Sequence, residues 1–135
     1  MGAAAPYLDE VRQQAAELPF KATVSVGVTD IAERMCEADL AIGAAGSTSW
    51  ERCCLGVPTI LLAIADNQNM VNQALIDEGA AVELKVKCLR AAGGQVISNA
   101  FKEILVNGTE IIEKAATVTD GLGCMRVISC FKEKK

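Results

Sequence analysis

Histidine is absent from the 135 residues of this chain, which removes the usual zinc-ligand patterns. None of the six cysteines forms a Cys-x-x-Cys pair, so no metal and no cofactor is called for. Without a histidine to lower a thiol's pKa, thiol catalysis is also a poor reading. Basic clusters are missing apart from the Lys132, Lys134, Lys135 tail, and the formal net charge is −4, which speaks against nucleic acid as a partner. No long apolar run is present: the strongest, Val57 to Ala65, is too short to cross a bilayer and contains Pro58, so no membrane span is expected. The first residues lack the basic segment and apolar core of a secretory leader, and the expected location is the cytoplasm. Cys53 and Cys54, set among apolar residues, are expected as buried thiols.

What is present is 51% hydrophobic composition in a length suited to one domain, residues 1–135. Pro6, then Tyr7, Leu8, Val11, Ala15 and Leu18 at helical spacing, predicts a helix ending before Pro19. Ala22 to Val26 reads as a short strand, and Thr29 or Asp30 as the N-cap of a helix through Cys36. Asp39 to Gly43, Thr59 to Ala63 and Ala81 to Leu84 read as buried strands. Between them, Ser47 to Leu55 and Asp66 to Glu78 read as helices closed by Gly56 and Gly79. The last third predicts helices at 100–106, 109–118 and 121–132, separated at Asn107-Gly108 and Asp120-Gly121. Such alternation argues for an α/β fold: a parallel sheet of about four strands flanked by helices.

The chemistry-bearing stretch runs from Ala38 to Gln73. A strand ending in the small residues Ala44 to Gly46 brings backbone close to any bound group, and the helix behind it offers free N–H groups, an arrangement that suits a phosphate. Ser47, Thr48 and Ser49 add hydroxyl donors, and Glu51 is placed to accept hydrogen bonds from a diol such as ribose. Asn67 and Gln68 follow the next strand and fall on the same carboxyl edge, where α/β proteins bind ligands. Each piece has a plainer reading. Ser47 or Thr48 can be only a cap, Glu51 can complete it, Asn67 and Gln68 can start a helix, and Trp50 can be core packing.

At these residues the chain resembles the C-terminal domain of the UDP-sugar hydrolase of pseudaminic acid biosynthesis, a relative of the GT-B glycosyltransferases that include the peptidoglycan N-acetylglucosaminyltransferase. The resemblance rests mainly on Gly46-Ser-Thr-Ser-Trp-Glu-Arg-Cys-Cys-Leu-Gly56, and more weakly on Gly2 to Pro6, Val28 to Ile31, Ala65-Asp-Asn-Gln68, and Asp120-Gly-Leu-Gly123 with Arg126-Val127. It implies a Rossmann-like fold of GT-B type holding UDP or a UDP-sugar. Val28 would meet the uracil through its backbone, Gly46, Ser47, Thr48 and Ser49 would form the phosphate turn, Glu51 would take the ribose hydroxyls, and Asn67 and Gln68 would approach the sugar. The implied reaction is release of UDP by water attack at the anomeric carbon of a diacetamido-trideoxy hexose.

Departures from that pattern define further expectations. The family's catalytic histidine lies in an N-terminal domain that this chain does not contain, so the chain reads as a binding fragment needing a separate N-terminal-domain polypeptide for catalysis. Ala45 stands where the family usually has glycine and is expected to crowd the phosphate loop. The first two strands of the family domain are missing, which predicts that the remaining strands close up or receive strands from a second copy in a homodimer. The alternative reading is a non-enzymatic oligomeric or regulatory module that kept the fold.

Overall fold

In a computed structural model, which describes residues 1–2, 4–62, 69–86 and 94–132, the apolar run Thr59–Leu62 forms the central strand of a parallel sheet. Three strands pair in the order β1 (Ala41–Ala44), β2 (Thr59–Leu62), β3 (Val82–Leu84). Ala41 stands opposite Thr59, Ile60 opposite Val82, and all three strands run the same way, so their carboxyl ends share one edge. The helices are α1 (Leu8–Ala16), α2 (Ile31–Cys36), α3 (Thr48–Cys54), α4 (Asn69–Asp77), α5 (Gly94–Val118) and α6 (Gly123–Lys132). By contacts the chain divides into two compact units, Met1–Ile31 and Ala32–Lys135.

The second unit holds the core, because β2 is apolar on both faces and each face needs cover. Ile60 packs with Val82, Leu84 and the α5 residues Ala100, Ile104 and Ile111. Leu61, pointing the other way, joins Ala45, Cys53 of α3, Leu75 of α4 and Ala115 of α5. Helices α3 and α4 both end in Schellman turns. Val57 N–H reaches the Arg52 carbonyl at 3.0 Å and Ala80 N–H reaches that of Leu75 at 2.9 Å. Gly56 and Gly79 supply the required positive φ, 65° and 69°.

Helix α5 runs unbroken through Asn107-Gly108, where a break is expected from sequence. A helical glycine costs about 1 kcal/mol relative to alanine. Burial of Ala100, Ile104, Ile111 and Ala115 along one stripe outweighs that cost.

The first unit is α1 followed by irregular chain. Its backbone is tied by the Met1 ammonium donating to the Ser25 carbonyl (2.7 Å) and by Gly27 N–H donating to the Met1 carbonyl (3.0 Å). Ala22 to Val26, expected as a strand, is not one. It has the alternation of a strand but neither a neighbouring ladder nor a buried face, and these are what stabilise one. The sheet therefore has three strands rather than about four, and they do not close up: β1 has no strand on its outer side among the described residues, and Ile42 on it is 51% exposed.

Helix α6 starts at a cap that the sequence marks with Asp120. The Asp120 carboxylate accepts the Leu122 N–H (3.0 Å) and both terminal nitrogens of Arg126. The paired Arg126 guanidinium, followed by the Leu122 amide, holds the Asp120 carboxyl at about 2.

Two outcomes follow from this packing. Leu61→Ala removes a fully buried side chain and is expected to cost about 2–5 kcal/mol in denaturant unfolding, whereas Ile42→Ala on the open edge should cost well under half of that. In a carbon-detected pH titration, the Asp120 carboxyl should titrate near 2, and Arg126→Ala should return it toward 3.8. Because the folded-state value is depressed, the stabilisation is complete above the unfolded value and lost only as pH falls toward 2.

Candidate functional site

At the carboxyl end of β1 the chain turns through Ala45, Gly46 and Ser47 into α3. The inward stripe of this short helix is Ser49, Arg52 and Cys53, at i, i+3 and i+4. That leaves Thr48, Trp50, Glu51 and Cys54 facing outward. Trp50, expected as core packing, is 41% exposed for this reason. Cys54 is likewise exposed where a buried thiol is expected, with its Sγ so close to Gly121 that a side chain there would collide with it. Cys53 is buried, and burial raises its thiol pKa, which disfavours the reactive thiolate.

The turn is held from within. Ser49, 1% exposed, accepts the Gly46 N–H at 3.2 Å and an Arg52 N–H at 2.9 Å. The same Arg52 nitrogen donates to the Ala44 carbonyl at 2.9 Å. Arg52 is 6% exposed, and desolvation lowers its pKa, an effect that Cys53 and Glu51 partly oppose. Its guanidinium fills the space that a side chain on Gly43 would need. Sequence reasoning missed this arginine as a site element. The signal for it was Arg52 on the same helical stripe as Ser49, together with a glycine inside an otherwise apolar strand.

The expected capping roles are not made. Ser47 has helical backbone angles and its hydroxyl makes no cap bond. The capping-box reading of Glu51 fails with it, since the Glu51 carboxylate is exposed and makes no hydrogen bond or ion pair among the described residues. Ser49 and Trp50 amides bond back to the carbonyls of Gly46 and Ser47, at 2.9 and 3.2 Å. Those of Ser47 and Thr48 have no partner among the described residues.

Ala45 does not crowd the surface of this turn. It is 1% exposed and its methyl belongs to the core with Cys53 and Leu61. Gly46 is different: its φ is not in the left-handed region, and no described atom lies within 4 Å of where its side chain would begin. Neither backbone strain nor internal packing among the described residues demands glycine there.

Of the residues expected at the site, the structure brings together Gly46, Ser47, Thr48, Ser49 and Glu51, with Ser49 turned inward to the network. Val28 lies in the first unit, half-buried. Asn67 and Gln68 lie outside the described residues. Among the described residues no group of acidic or cysteine side chains could hold a metal ion, and no helix is long and apolar enough to cross a membrane.

Comparison with known proteins extends the geometry. The chain is 33% identical over 84 residues to the spore coat polysaccharide biosynthesis protein SpsG of Bacillus subtilis (strain 168), an overlap of 62% of this chain and 24% of that protein. It is 37% identical over 79 residues to the UDP-N-acetylglucosamine--N-acetylmuramyl-(pentapeptide) pyrophosphoryl-undecaprenol N-acetylglucosamine transferase of Sulfurovum sp. (strain NBC37-1), covering 55% of this chain and 23% of that protein. The chain thus spans about a quarter of the length of these curated relatives. No solved structure matches it at comparable significance. The glycosyltransferase family 28 C-terminal domain matches residues 4–121, and its GT-B, Rossmann-like character agrees with the partial parallel sheet observed. A match over most of the chain places the protein in the glycosyltransferase family 28 C-terminal domain family.

Proposed function

We propose that residues 1–135 form a nucleotide-sugar-binding module whose β1–α3 turn holds the diphosphate of UDP or a UDP-sugar. The observation that carries this reading is the outward side of the turn. There, among the described residues, the Ser47 and Thr48 amides have no partner, Gly46 leaves the approach open, and the Glu51 carboxylate one helical turn away makes no hydrogen bond or ion pair. Amide and hydroxyl donors suit phosphate oxygens, and an unpaired carboxylate suits a vicinal diol. The activity that the Sulfurovum relative's name states, transfer of N-acetylglucosamine from its UDP conjugate, supports the same ligand class.

The finer reading is kinship with the hydrolase that releases UDP from a diacetamido-trideoxy hexose. In that reaction donors at the turn would stabilise the departing nucleotide while a base activates water. Residues 1–135 hold no histidine to act as that base, so in this reading another domain supplies it. A second reading, a non-enzymatic module that assembles through β1, is favoured by the exposed Ile42 on the unpaired edge. Sedimentation without nucleotide separates the two, since an obligate oligomer indifferent to UDP supports the second.

Calorimetric titration with UDP tests the first. Glu51→Ala removes a charged hydrogen-bond acceptor, worth about 1.5–3 kcal/mol, and is expected to weaken UDP by roughly tenfold or more. Binding of 2′,3′-dideoxy-UDP should be indifferent to the same substitution. Absence of saturable UDP binding by the unaltered chain, or equal UDP affinity in the Glu51→Ala variant, would reject the assignment.

A further inference from the structure

The Arg52 guanidinium is a buried cation with no carboxylate partner within ion-pair distance among the described residues. Its Nε is buried without a hydrogen-bond partner. Taking such a charge out of water is costly, and an apolar side chain of similar volume at such a site is often neutral or stabilising. Core packing alone therefore gives no reason for arginine here. What arginine does that an apolar residue cannot is join the two ends of the turn: one nitrogen bonds Ala44 at its entrance and Ser49 at its exit, and Ser49 in turn holds Gly46. Gly43 gives up its side chain to admit the planar group.

We propose that Arg52 is a positioning residue for the diphosphate: it locks the β1–α3 turn in the form that presents the Ser47 and Thr48 amides, and it places a buried positive charge inside that turn. This rests on the nucleotide reading above. The turn is then ordered before ligand arrives, so binding does not have to meet that ordering cost. The charge acts on phosphate oxygens through a poorly screened interior and has no comparable effect on a neutral nucleoside.

The test uses Arg52→Met, Arg52→Lys and Gly43→Ala, the last displacing the guanidinium without changing it. Hydrogen exchange on the ligand-free chain reads the turn: the Gly46, Ser49 and Trp50 amides should exchange at least tenfold faster in Arg52→Met and Gly43→Ala, while those of Ile60 and Leu61 stay unchanged. Titration reads the charge: Arg52→Met should weaken UDP at least tenfold and uridine less than twofold, with a melting temperature equal to or above that of the unaltered chain. Arg52→Lys, which keeps charge but loses the fork, should give intermediate UDP affinity with the turn still loosened. Equal losses for UDP and uridine, or unchanged exchange at the turn, would overturn the proposal. If Arg52→Met does not fold, the lysine and alanine variants decide by the same criteria. Absence of UDP binding by the unaltered chain would reject the nucleotide reading and with it the diphosphate role, while exchange would still show whether Arg52 sets the turn.

Discussion

The hydroxyl of Ser49 is the point at which strand, turn and helix are joined. It accepts one hydrogen bond from the backbone of Gly46 and one from Arg52, and Arg52 also reaches the last residue of β1. Ser49 is 1% exposed and both lone pairs of its oxygen are used, so it accepts no further hydrogen bond. Its neighbours Ser47 and Thr48 are left to face outward. The division of labour among three consecutive hydroxyl residues follows from the helical period alone: the residue that shares a stripe with Arg52 and Cys53 goes in, and the two before it stay out.

The platform beneath that turn is a small sheet covered on both faces. Alternate residues of β2 point into different clusters, and α5 contributes to both, Ile104 and Ile111 to one and Ala115 to the other. Rigidity at the carboxyl edge comes from this double cover, and the loop carries little strain of its own: among the described residues no non-glycine residue has positive φ. Such an arrangement is typical of binding loops, which are displayed by a framework more stable than themselves.

Much of this was legible in the residues. The strands at β1, β2 and β3 are apolar runs too short for helices and bounded by turn residues, and Gly56 and Gly79 marked helix ends that became Schellman turns. The helix–turn signal at Ser47 was right about position and wrong about chemistry, because a cap was inferred from residue type while the buried Arg52 recruited Ser49 instead. Ala22 to Val26 had strand-like alternation, yet alternation describes a face and cannot supply the neighbouring ladder. Asn107-Gly108 looked like a break because local propensity is visible in sequence, whereas the long-range burial that overrides it is not. That a turn at the carboxyl end of β1 leads into the helix carrying Glu51 was legible from spacing. The cation behind it was not, since arginine on a surface-length helix is ordinarily read as solvated.

Gly43 and Arg52 occupy one volume between them. A lineage that traded the arginine for a shorter side chain would leave a hollow beside the strand, and a methyl at position 43 could then settle into it. A lineage that first enlarged position 43 would have to evict the guanidinium. The two sites are thus tied as lock and tenant, nine positions apart along the chain, and drift at either is permitted only in one order.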